Sequence, residues 1–383
     1  MSKFIMVGCD LHDKTMLLKL ATDRGSPETV RLVNTRVARQ RMIADLQARA
    51  AAAGGASILF AYEASGQGFG LCDELTAAGI KCHVLAPTKI SRSTQRQRLK
   101  TDEKDAEDIL QLLRAHVLAG NPLPKVWIPD AQTRDHREAV RCRLDAAEKI
   151  TAIKAQIKSL LKHCGMTRPE AARKGWTRLY LAWLRQLCED LAHGPGLRTS
   201  LASLLRQLEF MEQEVERLDQ AVAGLANSPR YAAAVVRLVK LSGVGLLTAL
   251  VFLTEVGDAA RFANRRQISA YLGLVPKCFE SGSTNDRKGH ITRQGPARVR
   301  KVLCQAVWAR VRSEGSDQDA FQRIVAKNPK HKKIATVAVM RRLAVRMWHA
   351  ARGDEPVQSG PPTRRLRSSA RGTACAKPPC RLV

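Results

Sequence analysis

Lys100-Thr101-Asp102-Glu103-Lys104-Asp105-Ala106 is the point where a basic segment becomes an apolar-periodic helix. Ile109, Leu110, Leu112 and Leu113 carry the helical spacing. Residues three apart share one helix face, so Asp102 and Asp105 project together from the first turn. The positive end of the helix dipole offsets only part of their mutual repulsion. Solvent or a cation has to carry the rest. An acidic first turn is also an ordinary way to start a helix. The choice between the two readings depends on whether other acids converge on this pair.

The upstream sequence supplies them. Residues 4–9 form an apolar run that ends at Asp10 and reads as a buried strand. Residues 14–20 and 29–34 add two more strands through short connections. A helix follows over 36–53 and stops at Gly54-Gly55. Residues 57–62 are a fourth strand, ending at Glu63. A helix over 68–78 leads to a fifth strand over 81–85, closed by Pro87. Three strands joined by short turns run antiparallel, and the later strand-helix-strand units add parallel neighbours with right-handed crossovers. This is the ribonuclease H-like arrangement, expected over residues 1–130. In it the ends of the first and fourth strands and the last helix converge, bringing together Asp10, Glu63, Asp102 and Asp105. Four carboxylates at one point call for divalent metal, and an all-oxygen site suits Mg2+ or Mn2+. Two such ions would stabilise both the entering and the leaving oxygen of a phosphoryl transfer. The plainer alternative is that Asp10 and Glu63 are polar strand ends. Asp13, Glu107 and Asp108 read as surface residues, and His12 as a solvated turn residue first and a site residue second.

The charge balance points the same way. The 383 residues hold 64 Lys and Arg against 35 Asp and Glu, a net charge of +29. Such an excess attracts polyanions, nucleic acid first. A membrane surface fits less well, because no apolar run is long enough to span a bilayer. The first residues lead straight into a strand, so no secretory leader is expected and the cytoplasm is the expected compartment. The 10 cysteines are scattered with no CxxC pair, which predicts reduced thiols and neither a zinc site nor a disulfide framework. Between Pro87 and the acidic helix, Lys89, Arg92, Arg96, Arg98 and Lys100 are interleaved with Ser and Thr, all able to reach phosphates. The segment reads as a clamp on a nucleic-acid backbone or as a solvated basic loop.

Residues 131–230 are helical. One helix covers 134–163, and Trp176, Trp183 and Leu187 lie in a connecting region. Leu201, Leu204, Leu208, Met211, Val215, Leu218, Val222 and Leu225 then alternate steps of three and four, the pattern of a coiled-coil seam. It suits an intramolecular hairpin or a dimerisation arm. In the helical segment 231–352, residues 241–245 (Leu-Ser-Gly-Val-Gly) resemble a phosphate-binding hairpin between two helices, or a plain helix-helix turn. Residues 280–295 read as a long polar, Gly-rich loop of the kind that is usually functional or disordered. Arg287, Lys288 and Arg293 lie in it, and Arg298 and Arg300 follow on an apolar helix. Ser281, beside Gly282 and these cations, is a candidate nucleophile toward phosphorus, although a turn serine has the same composition around it. Residues 353–383 lack apolar periodicity and read as a disordered basic tail.

Several motifs, in order along all but the tail, carry a family resemblance. They are Gly8-Cys9-Asp10-Leu11-His12, Tyr62-Glu63-Ala64-Ser65-Gly66, Lys100-Thr101-Asp102 with Asp105-Ala106, and Trp127-Ile128-Pro129. Further on come Trp176-Thr177, Trp183-Leu184, Arg261-Phe262, Tyr271-Leu272-Gly273-Leu274-Val275-Pro276, Ser281-Gly282 and Gly289-His290-Ile291-Thr292. Together they resemble the DEDD-type transposases of the insertion sequence 110 family, which include the Piv-type DNA invertases. The resemblance implies a RuvC-like domain bearing Asp10, Glu63, Asp102 and Asp105, a coiled-coil middle, and a helical C-terminal transposase domain with Ser281 as nucleophile. Ser283 is the second choice. It further implies cutting and rejoining of donor and target DNA through a covalent serine-DNA intermediate, guided by a structured RNA. Dimers would assemble into a synaptic tetramer at the bacterial nucleoid. Pro296 departs from the family pattern, which has Asn after the glycine. Two other readings remain at this point. A Holliday-junction-resolvase-like nuclease would hydrolyse DNA with the same carboxylates and no serine, and a nucleic-acid scaffold would use the charge alone.

Overall fold

Strand β1 (Phe4–Leu11) is buried along most of its length, as a strand covered on both faces must be. In the computed structural model it lies at the centre of a five-stranded sheet of order β3-β2-β1-β4-β5. The structure describes residues 3–90, 101–170, 175–281, 284–327 and 329–353. The chain divides into two compact units, Met1–Pro129 and Asp130–Val383.

In the first unit, β2 (Thr15–Thr22) and β3 (Glu28–Val33) continue antiparallel from β1. The connection from β1 to β2 is too short for a crossover. Helix α1 (Arg36–Ala52) then carries the chain to β4 (Ser57–Glu63), parallel to β1, and α2 (Gly70–Ala77) carries it to β5 (Lys81–Leu85), parallel to β4. Thr35 caps α1 by accepting from the Ala38 N–H, and Gly54 and Gly55, both at positive φ, end it. The mixed sheet and the order of its elements agree with the reading of the sequence.

Strand side chains alternate between the two faces. One face puts Val7, Cys9, Phe60 and Tyr62 against Leu46 of α1 and Leu75 of α2. The other puts Met6, Leu59 and Ala61 against Ile109, Leu110 and Leu113 of α3 (Asp102–Ala119). Gly8 belongs to this second face, and α3 lies directly on it. A Cβ at Gly8 would sit 2.4 Å from the Ala106 carbonyl oxygen and 2.5 Å from the Leu110 nitrogen.

The second unit is mostly helical. Helices α4 (Ala131–His163) and α6 (Pro195–Ala226) form an antiparallel hairpin, and α5 (Arg178–Glu189) packs at its far end. Ile153, Ile157, Leu161, Tyr180, Leu184 and Leu201 make the core there. The seam on α6 faces α4 within the chain. Arg143 pairs with Asp219 at 2.7 Å and Lys154 with Glu212 at 3.0 Å across the two helices. Leu205 and Ala226 are buried in addition to Leu201, Leu208 and Val222, while Met211, Val215 and Leu218 are half-buried. At the near end, Val140, Leu144 and Val222 enter the core formed by the C-terminal helices. The hairpin and those helices therefore share one core.

The C-terminal helices are α7 (Ala232–Val239), α8 (Leu246–Val256), α9 (Arg265–Tyr271), α10 (Ala297–Arg310), α11 (Ser316–Lys327) and α12 (Lys332–Arg352). Residues 241–245 form the turn between α7 and α8. Gly243, at φ +76°, sits where a Cβ would lie 2.7 Å from the Ala306 carbonyl oxygen, and Arg310 donates to the Ser242 carbonyl. The turn thus serves packing on α10.

The stretch that reads as a long polar loop is instead a β-hairpin, β6 (Pro276–Ser281) paired antiparallel with β7 (Thr284–Ile291). Its polar composition has no period-2 apolar signal, so backbone pairing alone defines it. Gly273 and Gly295, at its base, approach so closely that neither has room for a side chain. A Cβ on Gly295 would lie 1.9 Å from the Tyr271 carbonyl oxygen. Pro296 precedes the first residue of α10, where its missing N–H costs nothing. Residues 354–383, which read as a basic tail, lie outside the described residues. Among the described residues no helix is long and apolar enough to cross a membrane.

Candidate active site

Thr101 sets the start of α3. Its backbone is extended and its hydroxyl accepts from the Lys104 N–H, so Asp102 is the first helical residue. Asp105 follows on the same face and is buried. Glu103 points elsewhere and pairs with Arg31 at 2.6 Å. The close approach of α3 to Gly8 brings this first turn over the end of β1.

The sheet register supplies the other two acids. Cys9 is paired with Tyr62, so Asp10 and Glu63 are the next residues of two adjacent parallel strands. Each is two residues beyond one that faces α3: Gly8 for Asp10, Ala61 for Glu63. Alternation therefore puts both on the face that α3 covers. The exit of β4 is fixed by the Ala64 N–H, which donates to the Leu85 carbonyl at 2.9 Å.

His12 joins them. The turn after β1 is held by the His12 N–H on the Thr15 carbonyl at 2.9 Å and by Asn34 on the His12 carbonyl at 2.8 Å. From it the imidazole Nε2 reaches 3.0 Å from Asp10 Oδ2 and 3.6 Å from Asp102 Oδ1. One ligand atom from each of Asp10, His12 and Asp102 lies within 4.8 Å of the others. In sequence His12 reads first as a solvated turn residue, with a site role the second choice. It is in the turn, but its ring belongs to the carboxylate cluster. The signal is present, since residues i and i+2 at a strand end lean to one side.

The Asp10 carboxyl lies above its ordinary range. Burial pushes the Asp10 carboxyl up, His12 pulls it down, and the Asp102 and Asp105 carboxylates push it up again. Asp10 is 17% exposed and Asp102 62%, so the group opens to solvent on one side. Ligand atoms of Asp10, His12 and Asp102 at this spacing fit a divalent ion.

The remaining candidates are spread more widely. Ser281 is the last residue of β6, paired through its backbone with Thr284 in the second unit. Ser283 lies outside the described residues. Lys89 sits exposed on a short 3-10 turn after β5, and Arg92, Arg96, Arg98 and Lys100 lie outside the described residues. Arg287 and Lys288 are on β7. Arg293 follows the hairpin at φ +56°, an unusual conformation for a residue with a side chain. Arg298 is paired with Asp145 of α4 at 2.8 Å. Arg300 donates to the carbonyls of Leu272, Gln294 and Gly295, closing the hairpin's base. These last two guanidiniums are already engaged by the protein. The cysteines whose side chains are described are all free.

Known proteins resemble both units. Residues 7–166 match the DEDD transposase model of the IS110 type, and residues 236–322 match the model described as transposase IS116/IS110/IS902 family. The putative transposase y4qE of Sinorhizobium fredii is 34% identical over 252 residues, covering 66% of this chain and 58% of that protein. The putative transposase y4rJ of the same organism is 31% identical over 269 residues, 66% of this chain and 65% of its own length. The transposase for insertion sequence element IS1533 of Leptospira borgpetersenii is 24% identical over 312 residues, 80% of this chain and 86% of its own length. The chain thus spans somewhat less than two thirds of the two Sinorhizobium relatives.

Proposed function

The chain belongs to the IS110-type DEDD transposase family, and from that premise we propose that it is the transposase of an insertion sequence, cutting and rejoining DNA strands. The observation that carries the reading is the convergence of Asp10, His12 and Asp102, with Asp105 and Glu63 on the same face. In this reading the first unit is a ribonuclease H-like, RuvC-like domain, and Asp10, Glu63, Asp102 and Asp105 hold Mg2+ or Mn2+. A divalent cation held there supplies Lewis-acid stabilisation of charge on the phosphoryl oxygens. His12 orients the Asp10 carboxylate through its hydrogen bond and sets its distance from Asp102.

Ser281 is the nucleophile. Its Oγ forms a bond to the scissile phosphorus while the bond from phosphorus to one deoxyribose oxygen breaks. The serine proton is lost to solvent, and the expelled oxygen takes up a proton to leave as a hydroxyl. The phosphodiester is thereby exchanged for a serine phosphodiester of similar energy. A strand hydroxyl can attack it in turn and restore the chain without a high-energy cofactor. Cations near the hairpin, Arg287, Lys288 and Arg293 among them, offset charge on the pentavalent transition state.

The partners in this reading are donor and target DNA and a structured guide RNA, which reads sequence by base pairing. The charge alone gives affinity that falls steeply with salt. Subunits pair and then assemble into a synaptic tetramer at the nucleoid. The test is to trap the protein on nicked suicide DNA and map the adduct by mass spectrometry. A DNA adduct on Ser281, absent from Ser281→Ala, supports the proposal. Free phosphate ends with no adduct, together with full activity of Ser281→Ala, would make the protein a hydrolytic nuclease that uses the carboxylates alone. Sequencing of RNA that stays bound at high salt tests the guide, and recovery of random cellular RNA only would remove it.

A further inference from the structure

A wide groove of about 2700 Å³ runs through the second unit, between helices α7, α9, α11 and α12 and the base of the β6–β7 hairpin. It exceeds the ~300–1,000 Å³ of pockets that enclose small molecules, so its size suits a segment of a macromolecule. Its lining has two parts. Among the described residues, twelve Lys and Arg side chains line it against a single carboxylate, Asp319. Apolar side chains, Leu241, Leu274, Ile291, Ile334 and Val337 among them, share the lining with these cations.

The cations are only partly neutralised by the protein. Asp317 is buried and holds Arg310 and Arg346 at hydrogen-bond distance, with Arg342 at 3.4 Å. One carboxylate thus fixes three guanidiniums and leaves a net positive cluster, with Arg342 and Arg346 on the groove wall. Arg265, Arg266, Lys333 and Arg341 have no acidic partner among the described residues. Fixed, unneutralised guanidiniums are suited to planar, bidentate contact with phosphate.

The apolar part of the lining decides what kind of nucleic acid fits. A duplex hides its base faces and offers phosphate and sugar, which have nothing to gain from Leu241 or Ile334. A single strand exposes base faces that can lie on apolar side chains while its phosphates meet a cationic rim. His290 and His349 add two flat rings to the lining. Pro276, Ile291 and Arg293 line it on the hairpin side, at the base of the element whose far end carries Ser281.

We infer that this groove seats a single DNA strand, the one that presents its scissile phosphate to Ser281. The inference rests on the proposed role of Ser281 for the strand's identity, but not for the binding itself. It places the main protein grip on the cut strand in the second unit, on residues that stand apart in the sequence.

The test uses the full-length chain and equilibrium fluorescence anisotropy. The probes are a short single-stranded DNA, the duplex of the same sequence, and the same sequence as RNA. Lys333→Ala combined with Arg341→Ala should weaken single-stranded DNA binding about tenfold or more. It should also flatten the salt dependence of log K by roughly 0.7 for each phosphate that the variant no longer neutralises. Ile334→Ser alters the apolar lining at a residue that is 52% exposed without adding a charge. It should weaken single-strand binding and leave duplex binding unchanged. Unchanged single-strand binding in both variants overturns the inference. So does an equal loss of duplex binding in Ile334→Ser, which would make the groove a duplex seat, or loss of RNA binding alone. The same titrations in a Ser281→Ala background keep the two readings apart. If no serine adduct ever forms yet the groove variants lose the strand, the nucleophile falls and the groove stands.

Discussion

Gly8 on β1 lies directly beneath the Ala106 carbonyl of α3, with 2.4 Å between that oxygen and the place a Cβ would occupy. This close approach lies two residues before Asp10 and one after Asp105. It therefore sets the spacing between the strand end and the helix start that together form the acidic cluster. Gly8→Ala should force α3 away from the sheet and destabilise the first unit by about 1–3 kcal/mol, as overpacking does. It should also weaken divalent-metal binding. Chemical denaturation of the full chain and isothermal titration with Mn2+ check both. Wild-type stability and metal affinity in Gly8→Ala would mean that the helix has room to move.

Asp102→Asn should abolish strand cleavage while leaving nucleic-acid affinity nearly unchanged. Asp102 is one of the two acids that His12 approaches, and it stands at the solvent-facing side of the cluster. Amide for carboxylate keeps the shape and removes the charge that a divalent cation needs. Chelation with EDTA should have the same effect on the unaltered protein. Cleavage that persists in metal-free buffer would refute a metal-dependent role for these acids.

His12→Ala should lower cleavage rate by about tenfold to a hundredfold, the usual range for residues that orient ligands. His12→Gln, which can still donate to Asp10, should recover part of it. Equal loss in the two variants would show that the hydrogen bond to Asp10 is not what matters. The readout that separates positioning from folding is Mn2+ affinity, which should follow the same order as the rates.

The sheet and its four acids are legible in the sequence because local signals mark them. Apolar runs of strand length end at Asp10 and Glu63, Gly54-Gly55 stops α1, and two short connections enforce antiparallel pairing. His12 stays ambiguous in such a reading because a polar residue in a turn has an adequate explanation without a partner. The β6–β7 hairpin escapes it because its residues carry no alternation to read. The basic groove has no local signature at all. Lys240, Arg266, Arg293, Arg323 and Arg341 are scattered over 100 residues, and only the packing of four helices brings them together. The α6 seam shows the opposite limit. Its period is plain, yet period does not name the partner, which within the chain is α4.

That seam gives a prediction with two parts. Leu208 is buried in the core at the far end of the hairpin, while Val215 is half-buried between the two cores. Leu208→Asp should therefore destabilise the hairpin by several kcal/mol, because it buries a charge with no counterion (about 2–5 kcal/mol is lost on truncating such a side chain alone). Val215→Asp should leave the fold nearly as stable. If the middle of the hairpin also joins subunits, Val215→Asp should give a smaller species in light scattering with an unchanged circular dichroism spectrum. An unchanged mass would confine the seam to its intramolecular role.

Asp130 offers a prediction about pH. It caps the 33-residue helix α4, accepting from the Thr133 N–H at 2.9 Å, and it accepts from Arg230 at 2.6 Å, tying the start of α4 to the chain just after α6. Burial alone would raise its carboxyl. The hydrogen bonds from Thr133 and the Arg230 guanidinium outweigh that and hold it at about 2, below the ordinary value of 3.8. A carboxyl depressed in the folded state binds its proton more readily when unfolded. Its contribution to stability is therefore fully present above 3.8 and is lost as pH falls toward about 2. The side chain is 53% exposed, so solvent screens the ion pair and the cap hydrogen bond dominates. Asp130→Ala should thus cost about 1 kcal/mol at neutral pH, the usual worth of a cap. The gap between the two proteins should narrow steadily below pH 3.8. Trp176, Trp183, Trp308 and Trp348 all lie in the second unit, so tryptophan fluorescence during urea unfolding reports mainly on the part that Asp130 stabilises. A gap that stays constant from neutral pH down to about 2 would show that the carboxylate charge plays no part in the cap.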